Sequence, residues 1–250
     1  MRSLTLALLG LALAAAPRPA RAQDAPAIVD RVDQLLRGAS SRGSVRMEIV
    51  TRQWSRTLDL RIWSLGTEYG LVRVEAPARE AGTATLKVKD EVWNYLPRVD
   101  RTIKIPPSLM QGAWMGSHFT NDDLVKESRL VQDYEITLAF SGTREGTAVW
   151  EFRLDPRPEA PVVWGRIEMV VRQADTMPTV ARYYDDAGHL SRTMTYDQYQ
   201  RFGGRLVPAR LTVAPAGKPD EHTTVTYRDL AFDVGLDRGF FSLQNLRRSR

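Results

Sequence analysis

The sequence predicts a mainly β protein: one large, strongly twisted antiparallel sheet curled into an open barrel, preceded by an amphipathic helix. Three observations carry that prediction. Apolar and charged residues alternate from about Val45 to Tyr227. Turn-forming clusters interrupt the alternation at the spacing of a meander. A single clear helical stripe stands ahead of the first strand.

The chain opens with a segment that has to be set aside before the fold is read. Arg2 is followed by an apolar run from Leu4 to Ala16, broken only by Thr5 and Gly10. That is the length of a signal-peptide core and too short to span a bilayer as a helix. Ala20-Arg21-Ala22 places small residues at the two positions a signal peptidase reads, so residues 1–22 are expected to be removed before Gln23. Residues 23–250 are then expected to form a single domain, exported and soluble in the periplasm. The 250-residue sequence has no cysteine, which excludes a disulfide framework, a thiol nucleophile and a lipidated N-terminal cysteine. Its formal charge of +5 falls to +2 once Arg2, Arg18 and Arg21 leave. An exported chain of such modest charge is not expected to bind nucleic acid. The basic tail Arg247-Arg248-Ser249-Arg250 reads as a solvated terminus.

The helix comes first. Ile28, Val32 and Leu35 recur at helical spacing, with Val29 and Leu36 beside them and Asp30, Arg31, Asp33 and Gln34 opposite. Gly38 supplies the stop. Strands follow, with Val45, Met47 and Ile49 alternating with charged neighbours. The same pattern holds for Leu58, Leu60 and Ile62, for Leu86 and Val88, and for Trp150, Phe152 and Leu154. It returns at Ile167, Met169 and Val171 and again at Val225 and Tyr227. Period-two patterning with charged partners predicts antiparallel strands with one dry and one wet face, about a dozen in all. Ser141–Gly146, Asp185–Gly188, Phe202–Gly204 and Ala216–Pro219 supply the turns.

One stretch breaks the pattern. After Pro106-Pro107, the large apolar residues Leu109, Met110, Trp114, Met115 and Phe119 lie among Gly112, Gly116 and Ser117. Thr120 or Asn121 can then cap a short helix whose first turn carries Asp122 and Asp123. An irregular segment of this length inside a β domain is expected to be functional or to cover something.

Chemistry is hard to find in the rest. His118, His189 and His222 are far apart and fit no metal-ligand spacing, with His189 and His222 expected at the surface. There is no nucleophile elbow, phosphate loop or zinc-protease helix. The adjacent acids Asp122-Asp123 and Asp185-Asp186 read as a helix start and a hairpin turn. No catalytic residue, metal or cofactor is therefore expected. Apolar surface is plentiful instead, and Met47, Met110, Met115 and Met169 suit a deformable lining. Each methylene removed from water contributes about 0.8 kcal/mol, so one long acyl chain could gain on the order of 10 kcal/mol in a dry cavity.

The segment Val92-Trp93-Asn94-Tyr95-Leu96-Pro97, then Arg101, Ile105-Pro106 and Trp114-Met115-Gly116-Ser117-His118-Phe119-Thr120-Asn121-Asp122-Asp123-Leu124, resembles the outer membrane lipoprotein-sorting protein family. This is a LolA-like group within the LolA/LolB lipoprotein-carrier superfamily. The family pattern is a Trp-x-Tyr-x-Pro strand, a basic residue and a proline. A (Phe/Trp)-Met-Gly-Ser loop that runs on to Asp-Leu completes it. His118 stands where an acidic residue is more usual. The resemblance implies a half-open β-barrel covered by the N-terminal helix and a short helical lid, enclosing a cavity for acyl chains. It further implies a carrier of lipoprotein or lipid, served by an inner-membrane RND-type or ABC-type transporter and an outer-membrane acceptor. A non-enzymatic accessory subunit docking on such a transporter is the alternative. Trp93, Tyr95, Leu109, Met110, Trp114, Met115 and Phe119 are the residues expected to touch lipid.

Overall fold

The computed structural model describes residues 24–126 and 130–248. The expected leader, residues 1–22, lies outside them. Helix α1 spans Ala25–Arg37. Its N-cap Asp24 accepts a hydrogen bond from the Ala27 amide (3.2 Å), Pro26 occupies the first turn, and Gly38 ends it at φ 68°. Val29 and Val32 are buried while Asp30, Arg31 and Gln34 face outward, as the stripe predicts.

Thirteen strands follow among the described residues. The first six are β1 (Ser40–Val50), β2 (Ser55–Leu65), β3 (Tyr69–Ala76), β4 (Ala84–Val88), β5 (Glu91–Leu96) and β6 (Arg101–Lys104). The remaining seven are β7 (Tyr134–Arg144), β8 (Thr147–Pro156), β9 (Arg166–Arg172), β10 (Pro178–Tyr184), β11 (Leu190–Phe202), β12 (Arg205–Pro215) and β13 (His222–Phe232). Every neighbouring pair is antiparallel, and the order across the sheet is β6-β5-β4-β3-β2-β1-β13-β12-β11-β10-β9-β8-β7. The sheet is thus two meanders, β1–β6 and β7–β13, sewn together where β1 pairs with β13. The strand ladder does not close: β6 and β7 are its two free edges, although they are neighbours in sequence. The segment from residue 105 to 133, which the sequence marks as irregular, is the connection across that gap. It holds two short helices, α2 (Asp123–Lys126) and α3 (Leu130–Asp133).

Hairpin chemistry follows the turn residues. Glu145-Gly146 and Gly203-Gly204 are two-residue turns with both φ angles positive, the geometry that matches the right-handed twist of the flanking strands. The 141–146 signal is narrower than expected, because Ser141–Arg144 continue β7.

Alternation sorts the side chains as predicted. Val45, Met47, Ile49, Leu58, Leu60, Phe152, Leu154, Ile167, Met169 and Val171 all belong to one buried cluster with Val29 and Val32 of α1. The expectation of one wet face fails at the β3–β5 end. There Leu71, Ala84 and Leu86 form a second cluster with Phe241 and Leu246 on the opposite face. The cover is the C-terminal segment, which ends in helix α4 (Leu243–Leu246) capped by Ser242. Phe240 and Phe241 pack on Trp63 and Tyr69, each pair with ring centroids 5.7 Å apart. The Arg73 guanidinium also donates to the Asn245 carbonyl (2.6 Å). The tail is therefore docked as far as Arg247, whose Nε donates to Thr102 Oγ1 (3.0 Å).

Candidate functional site

Helix α1 lies over the curved face of the sheet and packs against α3, β7 and β12. It does not fill the concavity. A cavity of about 220 Å³ remains beneath it. Val29, Val32, Asp33 and Arg37 of α1 and Leu130 of α3 form one wall. The other comes from seven strands adjacent in the sheet, β2, β1, β13, β12, β11, β10 and β9, through residues such as Ile62, Leu211, Tyr227 and Met169. Met169 is one of the four methionines expected as deformable lining. Tyr183 and Tyr196 line the cavity beside it, and the Tyr196 hydroxyl donates to Met194 Sδ (2.9 Å). The polar wall residues are matched in pairs. Arg37 Nε meets Asp33 Oδ1 at 2.7 Å, and the Ser41 and Ser64 hydroxyls lie 2.7 Å apart.

The gap-crossing loop is tied down at many points, and its residues 105–126 do not line the cavity. Its turn is closed by the Trp114 amide on the Phe119 carbonyl (2.8 Å) and by Met115 and Gly116, both at positive φ. Asn121 Nδ2 donates to the Leu109 and Gly112 carbonyls (3.0 and 3.2 Å). Of the two possible caps, Thr120 is the one used. Its amide donates to Asp123 Oδ2 (2.7 Å) and its hydroxyl accepts from the Asp123 amide (3.1 Å), a reciprocal capping box.

The loop is fixed to the sheet at four places. Trp114 Nε1 donates to Thr85 Oγ1 on β4 (3.0 Å). The Met115 carbonyl accepts from the Arg56 guanidinium. The His118 amide donates to Thr223 Oγ1 (3.0 Å), while its Nδ1 lies 2.8 Å from the same oxygen. Asp123 forms a bidentate pair with Arg192, both contacts 2.6 Å, with the two side chains 7 % and 5 % exposed. The Arg192 guanidinium is also held over the rings of Trp164 and Tyr183, at 4.5 and 4.3 Å.

None of the seven residues expected to touch lipid lines the cavity. Trp114 and Phe119 are 6 % and 7 % exposed and belong to the main core cluster, against which Met115 also packs. Leu109 is exposed and Met110 half-buried. Trp93 and Tyr95 lie across from Leu86 and Ala84 and pack in the second cluster, on the other face from the Thr85–Trp114 contact. Lys104 Nζ stands 5.5 Å from the Trp93 ring, and the Tyr95 hydroxyl donates to Asp100 (2.9 Å). The structure thus brings Trp114, Met115 and Phe119 together and keeps Trp93 and Tyr95 apart from them. Apart from Met169 on β9, the cavity residues on α1, β1, β2 and β10–β13 were not singled out as lining from the sequence. In the sequence they have the same alternating or helical signature as the solid core.

The chemistry of the titratable groups is modest. Among the described residues, no group of three or more His, Asp or Glu side chains could hold a metal ion. His118 lies between Thr223 and Glu221, whose Oε2 is 3.6 Å from Nε2. That chain has the residue types of a nucleophile, base and orienting acid, but Thr223 is fully buried and its hydroxyl anchors the loop. Burial pushes the His118 imidazole below its ordinary pKa, against the opposing pull of Glu221. His189 is exposed at its hairpin turn, as expected, and His222 is half-buried at the start of β13. No helix among the described residues is long and apolar enough to cross a membrane.

Comparison with known proteins agrees with this picture. A protein-family model described as "Uncharacterized protein" matches residues 66–248. No curated protein matches the chain. Among solved structures, a domain described as an outer membrane lipoprotein-sorting protein from Vibrio parahaemolyticus superposes with a TM-score of 0.79. It is 22% identical, over 90% of this chain and 99% of that one. A DUF1329 family protein from Desulfovibrio piger gives 0.82 at 20% identity, over 90% and 98% of the two chains. A LolA superfamily protein from Nitrosomonas europaea gives 0.74 at 21% identity, over 88% and 98%. The resemblance read from the loop motif therefore holds at the level of the fold.

Proposed function

The chain belongs to the family whose model spans residues 66–248 and has the LolA-like fold, and from that premise we propose that it is a periplasmic carrier of acyl chains. The observation that carries the proposal is the cavity under α1, walled mainly by aliphatic and tyrosine side chains. A lining of this kind favours an alkyl chain through many weak contacts and provides no group that would transform it. Spread contacts also permit release by movement of a covering helix, without a chemical step.

In this reading the lipid meets the cavity wall first. Trp114, Met115 and Phe119 hold the gap-crossing loop and meet a chain only if the loop lifts from Thr85 and Thr223. Export by a cleaved leader, delivery from an inner-membrane RND-type or ABC-type transporter and transfer to an outer-membrane acceptor complete the proposal.

The test is direct. Protein purified without detergent should carry lipid detectable by mass spectrometry, and the emptied protein should bind a fluorescent fatty acid. A Val32→Trp substitution, which fills the space beneath α1, should lower that affinity at least tenfold. Lipid-free protein that binds no acyl probe would overturn the proposal.

A further inference from the structure

The cavity's size and charge say which lipid it suits, given the carrier reading on which this inference rests. A dry cavity of roughly 150 Å³ takes one benzene ring. By that measure, 220 Å³ holds about nine carbon atoms, below the range of roughly 300–1,000 Å³ that encloses a drug-sized ligand. Its wall is drawn from seven strands in succession on one side and from α1 and Leu130 on the other. That volume matches one alkyl segment and is too small to enclose three acyl chains.

The charged part of the lining is matched. Asp33 and Arg37 are the charged residues of the lining. They pair at 2.7 Å with side chains 22% and 27% exposed. The next pair beyond α1, Arg205 with Asp233 (3.3 Å), is matched too. An anionic head group would have to displace Asp33 from Arg37 and leave one carboxylate half-buried without its partner, which is unfavourable. The paired Ser41 and Ser64 hydroxyls, by contrast, can exchange hydrogen bonds with an incoming hydroxyl at no cost in charge.

We infer that the cavity selects a single-chain amphiphile with an uncharged, hydroxyl-bearing head group, of which a monoacylglycerol is the simplest example. Chain length and head-group charge are then separate handles. Affinity should rise about fourfold per added methylene, the increment expected of full burial. It should level off at about nine carbons, where the cavity is full.

The experiment titrates the full chain with three probes: 1-decanoylglycerol, decanoate at pH 8 and a triacylated lipopeptide. It adds a monoacylglycerol series of increasing length and repeats the pair of ten-carbon probes on Asp33→Asn. The expected result is at least tenfold tighter binding of 1-decanoylglycerol than of decanoate. Asp33→Asn should narrow that gap by raising decanoate affinity, since it removes one negative charge from the lining beside Arg37. Decanoate binding as tightly as its glycerol ester, or an Asp33→Asn variant that binds decanoate more weakly than the parent, overturns the inference. Tighter binding of the lipopeptide overturns it as well but leaves the carrier reading standing. Failure of all three probes to bind removes both.

Discussion

The cavity beneath α1 and the loop that crosses the β6–β7 gap have opposite economies of apolar surface. The loop is the richer of the two in large apolar side chains for its length, yet Trp114 and Phe119 are packed into the core. Lacking a strand ladder, an irregular segment has to be held by side-chain packing and by polar contacts to its own backbone. The cavity wall is the reverse. Its strands are already satisfied by their ladders, so Leu211, Tyr227 and Met169 can face space that α1 does not fill. Apolar residues in an irregular segment thus mark what the segment needs for itself. Usable apolar surface comes from regular elements that diverge.

The sharpest way to break this contrast is at the loop's buried ion pair. Asp123→Ala removes the bidentate carboxylate partner of Arg192 in a nearly dry site. It should destabilise the protein by about 3–5 kcal/mol in urea unfolding, as removal of one partner of a buried pair does. Phe119→Ala should cost a similar amount, about 3–5 kcal/mol, because a nearly buried ring leaves a cavity. A loss under about 1 kcal/mol for either, the level of an ordinary surface change, would mean the loop is not knitted into the core. Thr85→Val removes the acceptor of the Trp114 indole and strands a buried N–H. A smaller loss of about 1–3 kcal/mol is expected.

The smallest effect is titration of His118. The groups facing it are Glu221, Lys218, His222 and Thr223. Its folded pKa lies below its unfolded value of about 6.5, so the unfolded chain binds the proton more readily. The contribution of His118 is therefore complete above about pH 6.5 and is lost as the pH falls through the folded value. A His118→Gln variant should show a shallower fall in Tm between pH 7 and 5 than the parent. Equal slopes would show that the pull of Glu221 offsets burial and leaves the folded pKa at its unfolded value.

Much of the fold was legible because two periods and a few turn residues encode it. Val29 and Val32 mark α1, the Met47 and Leu58 phases mark the dry face, and Gly203-Gly204 marks a hairpin. The pairing of β1 with β13 was not legible, since register between distant strands leaves no local trace. The C-terminal clasp was missed for a related reason: α4 is one turn long, too short for periodicity. Arg192 did leave a signal. It stands in phase with Met194 and Tyr196 on β11, so a charge occupies a core position, and such a charge calls for a buried partner. The cavity itself has no sequence signature, because a residue facing empty space is chosen by the same rules as one facing another side chain.

The central claim is that the loop provides stability and the cavity provides binding, and one crossed measurement tests it. Fluorescent fatty-acid affinity and urea stability would be compared for Trp114→Ala and Val32→Trp. The account predicts that Trp114→Ala loses several kcal/mol of stability, about 3–5 for a buried tryptophan, and keeps its affinity within about twofold. Val32→Trp should lose at least tenfold in affinity at a stability cost of no more than about 1–3 kcal/mol, the usual range for overpacking. Loss of binding in Trp114→Ala with full binding in Val32→Trp would contradict it and place the acyl chain on the loop.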